Sequence, residues 1–171
     1  MEQKVDYADF LNNLDQKLEA YFQAHKDFIY CQKGCSFCCE KGDYPLSELE
    51  LKYIMQGLLA LDAGIMREIQ ENFKQIKKGG VCPFLIERKC SIYSHRPIIC
   101  RVHGLAFLCK ENVVKLPYCA NIGKNYCANL SKGEFVGEPI KENLDTSVIL
   151  KEFDFGEIRN LYDWIKAAHS D

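Results

Sequence analysis

Cys31-Gln32-Lys33-Gly34-Cys35-Ser36-Phe37-Cys38-Cys39 places four thiols within nine residues, and the rest of the chain reads outward from that spacing. A thiolate binds soft or borderline cations such as zinc and iron, and two or three intervening residues let two thiolates of one loop curl onto the same ion. Cysteines that only fill a core need no such spacing. Cys82, Cys90, Cys100, Cys109, Cys119 and Cys127 follow, so a second group of donors is available. The opening Met1-Glu2-Gln3-Lys4-Val5-Asp6 lacks the apolar stretch of a signal peptide, and no later stretch reaches the roughly 20 apolar residues of a membrane span. A cytoplasmic location without a membrane partner is therefore expected. Thiols stay reduced there, so ten cysteines point to metal or cluster ligation ahead of five disulfides.

Cys38 and Cys39 are neighbours, and adjacent side chains point about 100° apart on a helix or to opposite faces of a strand. The pair is expected either to feed two sites or to divide into one ligand and one buried thiol. Between Cys82 and Cys90 the seven-residue gap suits a hairpin that brings both thiols to one point. Arg96-Pro97 precedes Cys100, and the proline can open a short helical turn whose N-terminal amides favour a thiolate. The spacing Cys31-x3-Cys35-x2-Cys38 is also the one with which radical S-adenosylmethionine enzymes hold a four-iron cluster. Those enzymes set it in a β/α barrel, and a chain of 171 residues with helices on both sides of the motif cannot supply the β/α units.

Around the cysteines the pattern is helical. Tyr7, Phe10, Leu11, Leu14, Leu18, Tyr21 and Phe22 share one helical face, which predicts a helix over about residues 5–27. Asp43-Tyr44-Pro45 makes a turn, and Ser47 with Glu50 forms a capping box for a helix that buries Leu51, Ile54, Leu58 and Leu61. Ile65, Met66, Ile69, Phe73 and Ile76 form a further stripe, stopped by Gly79-Gly80. Residues 82–127 show no sustained periodicity and suit loops wrapped around ligands. Asp154 and Glu157 can cap a last helix over about 155–169, with Phe155, Ile158, Leu161, Tyr162 and Ile165 on one face. The expected fold is mainly α: one domain over 1–171, a small helical body with irregular cysteine-rich loops, about 31–127, organised around a metal or iron–sulfur centre. An apolar content of 47% supports a folded chain.

Cys31-x3-Cys35-x2-Cys38-Cys39, Cys82-Pro83-Phe84-Leu85, Cys90-Ser91-Ile92-Tyr93 and Arg96-Pro97-x2-Cys100-Arg101 follow one another in an order that resembles the YkgJ-type cysteine-cluster family, described as zinc- or iron-chelating domains. His103-Gly104 and Cys119-x-Asn121 look like one branch of it. The resemblance implies a bacterial metal-binding protein with Cys31, Cys35, Cys38, Cys39, Cys82, Cys90, Cys100 and Cys119 as ligands of zinc or of an iron–sulfur cluster, 4Fe-4S if iron. Cys109 and Cys127 fall outside the pattern. A similar cysteine arrangement in flagellin lysine N-methylases implies an alternative, an iron–sulfur enzyme that uses S-adenosylmethionine to methylate lysine on a protein substrate.

Thiolate cages are anionic, so Lys33, Arg88, Lys89, Arg96 and Arg101 are candidates to offset that charge. Arg96, Arg101 and His103 are the candidate cofactor-binding residues, the arginines as guanidinium donors to thiolate or to an acidic ligand and His103 as an imidazole donor. No Ser/His/Asp, paired-carboxylate, zincin or deaminase arrangement is present, which argues against a hydrolase. Lysines and arginines number 22 against 24 acids and are scattered, so no nucleic-acid partner is expected. Two classes of function stand: a metal-binding module in which thiolates from both cysteine groups hold one compact centre, and a cluster-dependent enzyme.

Overall fold

The computed structural model of the chain describes residues 6–31, 34–129, 134–151 and 154–168. In order the elements are α1 (Tyr7–Ala24), β1 (Pro45–Ser47), α2 (Glu48–Leu59), α3 (Ala63–Gln75), β2 (Leu85–Ile86), β3 (Lys89–Cys90), α4 (Ile98–Val102), β4 (Phe107–Leu108), β5 (Val114–Lys115), β6 (Cys127–Asn129), β7 (Glu134–Phe135), α5 (Thr146–Ile149), β8 (Ile158–Asn160) and α6 (Leu161–Ala168). The strands form four two-stranded antiparallel sheets among the described residues. The expectation of a mainly α body is thus corrected to a mixed one, because several short segments around the cysteines, too short for helix, satisfy their main chain by pairing. The chain divides into two compact units, one of Met1–Cys31 with Arg101–Leu144 and one of Gln32–Cys100 with Asp145–Asp171.

In the first unit, α1 starts where Asp6 accepts a hydrogen bond from the Ala8 amide and buries Leu11, Leu14 and Leu18. Its ends fall inside the expected 5–27, and residue 5 lies outside the described residues. Buried Val102, Leu105, Ala106, Phe107, Tyr126, Ile140 and Leu144 supply more of this unit's core. Glu142 accepts from Lys17 Nζ and Tyr21 Oη, each at 2.6 Å, which fixes the 140–144 segment to α1. The carboxylate at its hydroxyl pushes the Tyr21 ionisation up to about 12.

In the second unit, Leu46, Ile54, Leu58, Ile69, Phe84, Ile92, Leu161 and Ile165 make one buried cluster, with Cys82 and Cys90 partly buried against it. The capping box at Ser47 and Glu50 forms as expected. The other free amides at the start of α2 are satisfied from far along the chain: Glu48 N donates to Glu157 O (2.8 Å) and Leu49 N to Phe155 O (3.1 Å). That contact changes the C-terminal expectation. Residues 158–160 are strand β8, paired with β1 in the register Leu46↔Arg159, and the helix begins only at Leu161. Ile158 is half exposed instead of helical and buried, and residue 169 lies outside the described residues. No described helix is long and apolar enough to cross a membrane.

Candidate metal centre

Five cysteines of the second unit are assembled by three pieces of main chain. Cys38 and Cys39 open a 3₁₀ turn over Cys39–Lys41, in which Cys39 N and Glu40 N both donate to Ser36 O (2.9 and 3.1 Å). Tyr44 Oη donates to Cys38 O at 2.8 Å. This turn is tied to the second cysteine group by Cys82 N donating to Cys39 O (2.7 Å) and Gly42 N donating to Gly80 O (2.8 Å). A Cβ on Gly42 would lie 2.3 Å from Cys82 Cβ, so only glycine permits the approach. Asp43 secures the same turn, accepting from Gly79 N (3.0 Å) and Tyr162 N (3.2 Å).

Cys90 arrives by the hairpin that its spacing suggested, with Leu85 opposite Cys90 and Ile86 opposite Lys89. Glu87 and Arg88 form the two-residue turn with φ of 47° and 62°. Phe84 O accepts from both Ser91 N and Ser91 Oγ at 2.9 Å. Cys100 comes from α4. Here the expectation that helix amides would favour its thiolate is corrected, because the first amide, Ile98 N, is taken up by the buried carboxylate of Glu50 at 2.9 Å.

Electrostatics report the convergence. Cys39 is pushed up by its hydrogen bond with Cys38, then by burial and by the thiols of Cys38, Cys82 and Cys90. Cys82 is pushed up to about 12, by burial first and then by Cys90 and Cys38, against a hydrogen bond from the Phe84 amide. Burial also raises Cys90, opposed by the Ile92 amide and the charge of Arg96. Cys100 is raised well above its usual value by burial and by Cys82, Cys38 and Cys90, again against Arg96. Burial, and then the neighbouring thiols, raise Tyr44 as well. These five thiols share one low-dielectric space in which several thiolates without a counter-charge are costly. Amides two residues beyond Cys82 and Cys90 already donate to their sulfurs, an arrangement that favours the thiolate.

The sulfurs of Cys38 and Cys39 were expected to diverge. They stand 3.9 Å apart, because a cysteine entering a 3₁₀ turn obeys neither the helix nor the strand rule for adjacent side chains. That separation is close to the edge of about 3.8 Å in a tetrahedron of thiolates around zinc. By donor chemistry and by this spacing, the residues present fit a thiophilic ion. Among the described residues no three His, Cys, Asp or Glu side chains stand together at chelating distance.

The remaining expected residues are placed as follows. Cys35 is exposed. Arg96 donates to Tyr93 O (3.0 Å), lies 4.0 Å over the Tyr93 ring and acts on Cys90 and Cys100. Lys33 lies outside the described residues. In the first unit, Arg101 is buried and paired with Asp15 of α1, and burial pushes the His103 imidazole down, towards its neutral form. Cys31 and Cys119 contact each other, with Asn125 Nδ2 donating to Cys31 Sγ at 3.1 Å. The hydrogen bond from Cys119, then that from Asn125 against burial, holds Cys31 down at about 7, while the bond with Cys31 raises Cys119. Cys109 and Cys127 are half-buried in this unit. Gly42 and Asn125 were not singled out from the sequence, and Tyr44 only as part of a turn; Gly42, three residues past the cysteine pair, carries a local signal.

No curated protein and no solved structure matches the chain. A family model does match, over residues 30–130, and its description reads "CxxCxxCC: Putative zinc- or iron-chelating domain". The matched span exceeds half of the 171 residues and contains all ten cysteines, so the chain belongs to this zinc- or iron-chelating family, the YkgJ-type family that its four cysteine blocks resemble.

Proposed function

We propose that the second unit chelates zinc or iron through thiolates drawn from Cys38, Cys39, Cys82, Cys90 and Cys100, with Cys35 as a further donor on the same loop, and that the centre is structural. The observation that carries this reading is the bond from Cys82 N to Cys39 O at 2.7 Å, which joins two cysteine groups far apart in sequence at the point where their thiols raise one another. An all-sulfur donor set with no general base beside it favours a structural centre over a hydrolytic one. A bound dication supplies the positive charge that lets the buried thiols ionise together, and its binding energy adds to folding. Arg96 offsets part of the residual negative charge at Cys90 and Cys100.

Anaerobically purified protein tests this by metal and inorganic sulfide analysis with a visible spectrum. Zinc without sulfide or colour identifies a thiolate zinc site, and iron with sulfide in a brown protein identifies a cluster. In either case Cys82→Ser and Cys100→Ser each lower the metal bound per chain. Full metal content in both variants overturns the proposal.

A further inference from the structure

Cys31 is exposed, yet its sulfur has a fitted seat within the first unit. Tyr126 N donates to Phe28 O (2.7 Å) and Tyr30 N to Asn125 Oδ1 (2.8 Å), so two bonds clamp residues 125–126 along 28–30 and bring Asn125 beside Cys31. Asn125 is 1% exposed, and its Nδ2 donates to Gly104 O (2.7 Å) and to Cys31 Sγ (3.1 Å). The orientation of this amide has one solution. Tyr30 N can only donate and Gly104 O can only accept, so Oδ1 must face the first and Nδ2 the second, which leaves the other Nδ2 hydrogen for the sulfur. Gly104, at a φ of +103°, makes the room, since a Cβ there would lie 2.5 Å from Cys31 Sγ and 3.2 Å from Asn125 Nδ2.

We propose that Asn125 is a positioning residue for metal binding, holding the Cys31 sulfur as a thiolate in one direction for the ion. The proposal rests on the reading that the motif cysteines chelate zinc or iron, and it adds Cys31 to the donors and Asn125 as its support. An unsupported cysteine side chain samples three staggered rotamers, whereas the bond to Asn125, in the space left by Gly104, selects one. An N–H can only donate to the sulfur, and a hydrogen bond to an anionic acceptor is stronger than one to a neutral acceptor, so Asn125 favours the form of Cys31 that binds metal. Groups that orient a ligand in this way commonly contribute about 10–100-fold to metal affinity. Asn125 stands 94 residues from Cys31 in sequence and outside every cysteine block of the motif. Aspartate at this position would keep the bond from Tyr30 N but set a carboxylate oxygen against both Gly104 O and the sulfur.

The test uses the full metal-loaded chain, purified anaerobically, with a chromogenic chelator competing for the bound zinc or iron. Asn125→Asp, Cys31→Ser and the double variant are compared with the unaltered protein, and circular dichroism establishes that each is folded. Asn125→Asp is expected to weaken metal retention by about 10–100-fold, Cys31→Ser by at least as much, and the double variant no further than Cys31→Ser, because Asn125 acts through that sulfur. An asparagine that only supports the fold would weaken retention equally with and without Cys31, so additive losses overturn the proposal. Unchanged retention in Asn125→Asp or in Cys31→Ser also overturns it. Where Asn125→Asp does not fold, the smaller, uncharged Asn125→Ser takes its place in the same cycle. Metal content of Cys100→Ser judges the proposed centre independently.

Discussion

Gly42 has an ordinary φ of −83°, so its conformation does not call for glycine; its neighbour does. The ideal Cβ position is 2.3 Å from Cys82 Cβ and 2.6 Å from Cys82 Cα, and backbone cannot step aside as a flexible side chain can. Gly42→Ala is expected to lower stability by about 1–3 kcal/mol, the usual range for overpacking, and to lower the metal bound per chain. Urea denaturation of the two proteins side by side checks this, and an unchanged midpoint counts against it. The cysteines divide in a similar way. Cys82→Ser removes a proposed ligand and should lower the melting temperature of metal-loaded protein far more than Cys127→Ser, whose thiol lies outside the proposed donor set. Equal melting temperatures would refute that assignment.

The β2–β3 hairpin carries its own strain. Glu87 and Arg88 are exposed and both adopt positive φ, a turn in which asparagine and glycine are preferred and other residues cost about 1 kcal/mol each. Replacing the pair as Glu87→Asn with Arg88→Gly should stabilise the protein by about 1 kcal/mol and leave metal content unchanged, measurable by thermal melting and metal analysis. Elements whose causes are local were legible in the sequence. The capping box of Ser47 and Glu50 needs only four residues, and the Cys82–Cys90 hairpin only nine. Elements decided by distant partners were not. Ile158 fits a helical stripe but is drawn into strand by Pro45–Ser47, and the helix amide expected near Cys100 is consumed by Glu50, 48 residues away. Convergence of Cys38 with Cys39 was missed because the rule for adjacent side chains presumes a regular element. Asn125 was invisible because nothing near it in sequence contains its partners Tyr30, Cys31 and Gly104.

For the whole molecule, proton linkage gives the metal-free and metal-bound forms opposite slopes. Without metal, Cys39, Cys82, Cys90, Cys100 and Cys119 are all raised, whereas a thiol in the unfolded chain ionises near about 8.5. The folded state then binds more protons than the unfolded state above that pH. Its contribution to stability is complete below about 8.5 and is lost as pH rises towards the Cys82 value of about 12. Cys31, lowered to about 7, works in the opposite sense, losing its contribution as pH falls through that value, but it is one thiol against five. Melting temperatures of metal-free protein should therefore fall from pH 8 to pH 11. Those of metal-loaded protein should fall on acidification instead, as protons compete with the ion for thiolate. Circular dichroism melts of the metal-free form from pH 8 to pH 11, and of the metal-loaded form from pH 8 into the acid range, settle the sign, and slopes of the same sign would contradict it.

The two units are threaded through one another in sequence, residues 1–31 and 101–144 belonging to one and 32–100 and 145–171 to the other. Neither is a contiguous stretch that a cloning boundary could excise, and a nascent polypeptide leaving the ribosome cannot complete either before residue 144 has emerged. Cys31, Cys35, Cys38 and Cys39 therefore wait, unsheltered, while the later segments of both units are still being made.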